Sequence, residues 1–198
     1  MMTTLLFVLS LLQGDKGFAT TKEAMQKIQL VVGEWTGTGV PENEKDPSWT
    51  EKCSCTFKID KEKDEYTLVF TYTDGKLMKE GVVSYDLKKK VYRFALTRPD
   101  GAKMTYEGKL VDTTLTVEQI VEAEVDRERL EWNLLRDNNY FINVERRKAG
   151  AKSWEQTHNV RFRKEGVPFV RGEAPKCVVT GGSGSIAVSY KDKTYYVC

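Results

Sequence analysis

Cysteine has the widest choice of chemistry among the residues of this chain. The sequence contains four cysteines, Cys53, Cys55, Cys177 and Cys198. Thiolates bind Zn²⁺ and Cu(I), and in an oxidising compartment two thiols can instead form a disulfide. Cys53 and Cys55 are two positions apart on a predicted strand, so both thiols would lie on one face, where a disulfide between them would be strained.

A tyrosine-rich, hairpin-like stretch lies between Cys177 and Cys198. Residues 187–197 read AVSYKDKTYYV, and twenty residues separate the two cysteines. Both features closely resemble the start of a TRASH or YHS-type metallochaperone module, although Asp192 stands where that family commonly has glycine, and the module's third cysteine has no counterpart. The resemblance implies a zinc or copper site at Cys177 and Cys198 on a C-terminal hairpin. Two alternatives are open. Cys53 and Cys55 could complete the metal site, or Cys177 and Cys198 could form a disulfide.

Catalytic motifs give no comparable signal in this sequence. Gly182-Ser183-Gly184 lacks the strand-to-helix context of a nucleophile elbow, and the sequence holds no HExxH, P-loop or dinucleotide fingerprint. Carboxylate pairs such as Glu122 with Glu124, or Glu128 with Glu131, are typical of solvated faces. We therefore expect a non-enzymatic protein.

The element that must position these groups begins at residues 33–39, which read GEWTGTG. Side chains alternate along a strand, so Gly33, Trp35, Gly37 and Gly39 would share one face. Glycine in a strand marks a bend, a bulge or a close approach of another group. One large ring among three positions without side chains is typical of a closed sheet.

Strand-like segments separated by turn signals such as Asp74-Gly75 continue to about Arg163. Short strands without helical interludes predict an all-β fold, an antiparallel up-and-down barrel of about 8–10 strands or a sandwich. The segment 116–130 has apolar residues at positions that would equally line a helix. The predicted strands after the first are Trp49–Ile59, Tyr66–Thr73, Leu77–Tyr85, Val91–Thr97, Met104–Val111, Leu115–Glu122, Arg129–Leu135, Tyr140–Arg146 and Ser153–Phe162.

Apolar and aromatic side chains recur at every second position in several of these strands. Tyr66, Leu68, Phe70 and Tyr72 form one such row. A barrel of this size either packs such rows together or leaves room for one small ligand. The sequence therefore predicts a barrel that binds a small apolar ligand or has a structural role.

Gly33, Trp35, Gly37 and Gly39 are similar to the G-x-W-x-G-x-G opening of the nitrobindins and of related secreted barrels of unknown function, within the calycin group that includes the lipocalins. Pro41 stands where nitrobindins tend to keep a further glycine. The resemblance implies a calycin-like barrel, and we favour the group of unknown function.

A nitrobindin-like function would require haem iron held by an axial histidine. The sequence contains one histidine, His158, and Arg161 and Arg163 could meet the haem propionates. Val160 and Phe162 share the face of His158, which is equally consistent with a ring that only packs. Haem binding at His158 is therefore an alternative hypothesis and not our main expectation.

Composition and the chain ends set the remaining expectations. With 31 basic and 29 acidic residues the net charge is +2, which predicts no nucleic-acid partner, and no apolar run is long enough for a membrane span. Residues 1–19 read as a signal peptide, which implies export to a periplasmic or extracellular space, with a buried first helix as the alternative. Thr20 and Glu23 predict a capping box for a short helix that plugs one end of the barrel. We expect the barrel at 20–165, a linker at 166–175 and the metal-binding segment at 176–198.

Overall fold

The computed structural model describes residues 17–43, 45–135, 138–166, 186–190 and 193–197, the last two ranges by their backbone alone. Residues 1–16 of the predicted signal peptide, almost all of the predicted linker, and both Cys177 and Cys198 lie outside these ranges. Within them, no helix is long and apolar enough to cross a membrane.

A short helix, α1 (Thr21–Lys27), precedes the barrel. The Glu23 amide donates to Thr20 Oγ1 at 3.1 Å, and the Ala19 amide donates to the Glu23 carboxylate at 3.0 Å. The predicted N-cap is therefore confirmed, although Glu23 accepts from Ala19 and not from Thr20. A single 3-10 turn, Gln29–Val31, follows the helix and leads into the first strand.

Ten strands form a closed antiparallel barrel, as the sequence predicts. Each strand pairs with its neighbours in sequence, and the first strand closes the barrel by pairing with the tenth. The strands are β1 (Gly33–Pro41), β2 (Trp49–Asp60), β3 (Glu65–Thr73), β4 (Glu80–Asp86), β5 (Val91–Thr97), β6 (Lys103–Val111), β7 (Thr114–Gln119), β8 (Arg127–Leu134), β9 (Asn139–Arg147) and β10 (Glu155–Lys164).

The segment 116–130 forms parts of two strands, as predicted, and not the alternative helix: β7 ends at Gln119 and β8 begins at Arg127. Val117 and Leu130 are buried on their strands, whereas Ile120 and Val125, which would have completed a helical stripe, are exposed. Residues 74–79 form a loop, so the strand predicted from Leu77 starts only at Glu80.

The inward faces of the strands fill the barrel with aromatic and aliphatic side chains. Trp35 is 2% exposed, and its strand buries Gly37 and Gly39 on the same face. A Cβ at Gly37 would lie 2.6 Å from the Phe162 ring, and one at Gly39 would overlap the Trp49 ring. The glycines of β1 therefore make room for rings from β2 and β10. The largest buried side chains are Trp35, Trp132, Tyr92, Tyr106, Tyr140, Phe70, Phe94 and Phe162.

The two ends of the barrel are closed differently. At the end where β1 begins, α1 covers the opening, and the Tyr92 hydroxyl donates to the Ala24 carbonyl at 2.8 Å. The Phe18 ring packs there against Tyr85, with centroids 5.3 Å apart. We call this the helix end, and it confirms that the predicted helix plugs the barrel. The opposite end, where β2, β4, β6, β8 and β10 begin, we call the mouth.

A separate two-stranded antiparallel sheet lies in the C-terminal segment. It consists of β11 (Ile186–Tyr190) and β12 (Lys193–Val197), with Ile186 paired to Val197 and Tyr190 paired to Lys193. The predicted hairpin is therefore present between the positions of the two tail cysteines.

Candidate functional site

The inward-facing rows become polar where the strands reach the mouth. Arg98 follows β5 in phase with Phe94 and Leu96, and Arg146 on β9 is in phase with Ile142 and Val144. Because side chains alternate with period two, these guanidinium groups turn towards the barrel opening rather than outwards. The same alternation brings Glu128 and His158 to the mouth.

Glu128 is the centre of a hydrogen-bonded cluster at the mouth. Its carboxylate accepts from Arg98 Nη2 at 2.6 Å and from the Tyr106 hydroxyl at 2.6 Å. The Arg98 Nε–H donates to the Met104 sulfur at 2.8 Å. The Glu128 side chain is 12% exposed, so the expectation of a solvated face was wrong for this residue. Its register on β8, in phase with Leu130, turns it inwards.

The phenol of Tyr106 stays neutral within this cluster. Burial raises the pKa of Tyr106, and the neighbouring Glu128 carboxylate raises it further. A neutral phenol donates a hydrogen bond, whereas a phenolate beside a carboxylate would repel it. Tyr106 therefore holds the Glu128 carboxylate in place from inside the barrel.

A cleft of about 220 Å³ opens beside this cluster. Its lining includes three arginines, two carboxylates and the apolar groups of an alanine and a methionine. Among the described residues, neither Arg127 nor Arg146 has an ion-pair partner, whereas Arg98 is paired with Glu128. The lining residues are Arg98, Ala102, Met104, Gln119, Asp126, Arg127, Glu128 and Arg146.

On the other side of the mouth, Trp49 and Glu51 close the opening. The Trp49 indole N–H donates to the Glu51 carboxyl at 2.6 Å, and Glu51 is 3% exposed. Burial raises the pKa of Glu51, against the opposing effect of hydrogen bonds from Trp49 and from the Lys76 backbone. The Lys76 ammonium also lies 5.5 Å from the centroid of the Trp49 ring. An ionisable group thus closes this part of the barrel.

His158 lies at the mouth, paired in register with Val144 on β9 and Pro41 on β1. Its ring meets the Trp49 ring edge-on at 5.9 Å, and its Nδ1 is 3.0 Å from the Thr157 hydroxyl. Burial lowers the pKa of His158, which favours the neutral imidazole. The structure brings His158 close to the candidate cleft but not into its lining.

The described surroundings of His158 do not fit a haem group. The cleft is smaller than the roughly 300–1,000 Å³ typical of ligand pockets, and His158 does not line it. Arg161 and Arg163 are exposed on the outer face of β10, because Phe162 between them points inwards. The two arginines expected to meet the propionates therefore lie on the opposite side of the barrel wall from the interior.

Cys53 and Cys55 share one strand face, as predicted, and that face is the barrel interior. Both residues are buried, and neither forms a disulfide within the described part of the chain. The Tyr140 hydroxyl donates to the Cys53 sulfur at 3.7 Å. Burial raises the pKa of Cys53 to about 12 and also raises that of Cys55, so both remain thiols at neutral pH. Thiols enclosed in this way cannot join the tail cysteines unless the barrel opens.

The remaining residues singled out by the sequence are those of the glycine-tryptophan stretch and the predicted metal ligands. Gly33, Trp35, Gly37 and Gly39 line the inner face of β1. The described residues contain no group of three or more His, Cys, Asp or Glu side chains arranged to hold a metal ion. Cys177 and Cys198, the predicted metal ligands, lie outside the described residues.

The fold and the mouth together define the class of protein: a closed ten-stranded antiparallel barrel with a helix-capped end and a polar mouth. No known family profile matches this chain, and no curated protein matches it. Among solved structures, the crystal structure of Rv2717c from M. tuberculosis is similar, with 13% sequence identity and a TM-score of 0.48. That alignment covers 72% of this chain and 97% of the Rv2717c chain.

Proposed function

We propose that this protein is a non-enzymatic binding barrel whose mouth takes a small ligand with an apolar body and one anionic group. The observation that carries this proposal is the cleft in which Arg98, Arg127 and Arg146 lie beside Met104 and Ala102. A ligand of this kind would place its charge on guanidinium groups and its apolar body on the thioether and methyl groups. The cleft volume limits the ligand to a small molecule.

Arg127 and Arg146 are the groups that would recognise the anion. Arg98 already donates to Glu128, and its planar guanidinium is held there together with Tyr106. Arginine binds carboxylates with two parallel hydrogen bonds, which fixes the orientation of the ligand as well as its charge. Asp126 and Glu128 at the same cleft disfavour an anion that does not reach the guanidinium groups.

The test compares carboxylic acids with their uncharged amides. Hexanoate and benzoate, titrated against hexanamide and benzamide and followed by protein NMR, should bind more tightly than the amides and weaken as salt rises. Arg146→Ala should weaken acid binding about tenfold or more, because a hydrogen bond to a charged group is worth about 1.5–3 kcal/mol. Arg147→Ala is the matched control, since its guanidinium lies on the outer face, 4.7 Å from the Trp154 ring.

Three results would contradict the proposal. Equal binding of acids and amides would favour a purely apolar ligand, and equal losses in the Arg146→Ala and Arg147→Ala variants would remove the cleft as the site. Chemical-shift changes confined to residues around the helix end would place the ligand elsewhere on the barrel.

A second candidate function is metal binding by the C-terminal segment. It is supported by the antiparallel β11–β12 sheet, which lies in sequence between Cys177 and Cys198, as the metallochaperone-like pattern requires. Elemental analysis of reduced protein should then find near-stoichiometric zinc or copper. The metal should be lost in Cys177→Ser and retained in Cys55→Ala, because Cys55 is enclosed in the barrel. Metal lost from both variants, or from neither, would contradict a site at the tail.

A further inference from the structure

The loop Asp74–Lys79, between β3 and β4, lies over the part of the mouth beside Trp49; we call it the mouth loop. Its C-terminal residue is anchored on both sides: the Lys79 carbonyl accepts from the Tyr72 amide at 2.9 Å, and the Lys79 amide donates to the Thr97 carbonyl at 2.9 Å. Met78, just before this anchor, is 3% exposed. The loop therefore covers the barrel with an apolar side chain and is held at Lys79.

Glu51 joins the centre of this loop to the barrel wall. Its carboxyl accepts from the Trp49 indole at 2.6 Å, and the Lys76 backbone N–H of the loop acts on it to lower its pKa against the larger effect of burial. The space around it is tight, since a Cβ at Gly75 would lie 3.5 Å from Glu51 Oε2 and one at Gly37 would lie 3.0 Å from Glu51 Cγ. A buried carboxyl thus lies against the mouth loop on this side of the barrel.

The groups that face Glu51 from the surrounding elements differ in the pH range over which they titrate. Tyr72 on β3 and Cys53 on β2 interact electrostatically with Glu51, but burial raises the pKa of Tyr72 far above neutral and that of Cys53 to about 12. Lys76 lies over the Trp49 ring, and His158 on β10 meets that ring from its edge. Only Glu51 and His158 among these groups change charge between weakly acidic and neutral pH.

We infer that the mouth loop is a lid, latched over the barrel by Glu51, and that ionisation of Glu51 favours its opening. A buried carboxylate without a full counter-charge is costly, and opening returns it to water. The Tyr72 hydroxyl, buried without a hydrogen-bond partner among the described residues, interacts electrostatically with the same carboxyl. The inference rests on the proposed function only in taking the mouth as the entrance.

The sign of the pH dependence follows from the raised pKa of the closed state. Below the ordinary glutamic acid pKa of about 4.3, the closed lid is favoured in full. As pH rises from there to the raised value in the closed state, the population of the open state increases, by up to about tenfold per pH unit. Above the raised value the population becomes constant.

Hydrogen exchange of the Lys76 amide measures how often the mouth loop opens. It is recorded without ligand from about pH 4 to pH 8 and corrected for intrinsic exchange. The protection of this amide should fall with rising pH and then level off. In Glu51→Gln, which keeps the shape and an acceptor oxygen, the protection should be independent of pH. Glu107→Gln, on the outer surface, and His158→Asn should both keep the wild-type dependence, and the Gly101 amide should not follow it in any variant.

Three outcomes would overturn the inference. The first is an unchanged pH dependence in Glu51→Gln, and the second is its loss in His158→Asn instead. The third is exchange of the Lys76 amide only with the core amides, which would mean global unfolding and no separate lid. The exchange experiment uses no ligand. Failure of the lid inference would therefore not affect the test of carboxylate binding at the cleft.

Discussion

The helix end and the mouth each use a tryptophan to close the barrel, but they fix it with different partners. At the helix end the Trp35 indole donates to the backbone carbonyl of Val31 at 2.7 Å. At the mouth the Trp49 indole donates to the side-chain carboxyl of Glu51 at 2.6 Å. A backbone carbonyl does not titrate and has no side-chain rotamer to change, whereas the carboxyl of a glutamate can change both its charge and its rotamer. The tryptophan at the helix end is therefore fixed by a group that cannot titrate, whereas the one at the mouth is fixed by a group that can.

The two tryptophans should accordingly differ in what their removal costs. Trp35→Ala should lower the free energy of unfolding by about 3–5 kcal/mol, because a fully enclosed ring leaves a cavity. Trp49 is 9% exposed and lies at the rim beneath the mouth loop, so Trp49→Ala should cost less, about 1–3 kcal/mol. Urea unfolding of both variants checks the difference. Equal losses would mean that the mouth is as rigidly closed as the helix end.

A second prediction concerns the contact of β1 with the mouth tryptophan. Gly39→Ala should cost about 1–3 kcal/mol, because the added methyl group overlaps the Trp49 ring. In a Trp49→Ala background the same substitution should cost almost nothing, since the clashing ring is gone. Thr38→Ala, on the outer face of β1, is the matched control. If the cost of Gly39→Ala persists without the ring, it arises from the backbone and not from packing at the mouth.

The smallest effect is expected from the cap of α1. Thr20→Ala removes the side chain that accepts from the Glu23 amide and should cost about 1 kcal/mol. The cost should be the same at pH 5 and pH 8 if closure of the helix end is independent of titration at the mouth. Thermal unfolding at both pH values measures this, with Thr38→Ala as the control. A cost that changes with pH would link the two ends.

Much of the fold could be predicted because period-two alternation carries through most strands. Phe94 and Leu96, or Phe70 and Tyr72, fixed the inward faces without any knowledge of the neighbours. The same phase would also have indicated Arg98, which follows Leu96 by two positions, and Glu51, which lies between Trp49 and Cys53. A carboxyl or guanidinium in phase with an apolar row is a signal for a polar barrel mouth.

Other parts of the site depend on contacts between distant segments. Nothing local to residues 74–79 shows that this loop folds over the mouth, because its closure depends on Glu51 and on Thr97, which anchors Lys79. Similarly, Glu128 looked like one of several surface carboxylates. Its pairing with Arg98 joins residues 30 apart in sequence, and only the closed barrel brings them together. The predicted metal ligands of the C-terminal segment remain a prediction.

The seam of the barrel has a consequence for how the chain folds. Every other strand pair joins neighbours in sequence, but β1 must wait for β10, and the Thr36 to Glu165 hydrogen bond spans 129 residues. Closing so long a loop carries a large entropic cost and slows folding. During synthesis the eight hairpins of β1–β9 can form first, while the glycine-lined face of β1 lacks the Phe162 ring that β10 later brings. Pairing of β10 with β1 is therefore the step that completes the barrel. Until β10 emerges, the sheet has two open edges that can pair with other chains.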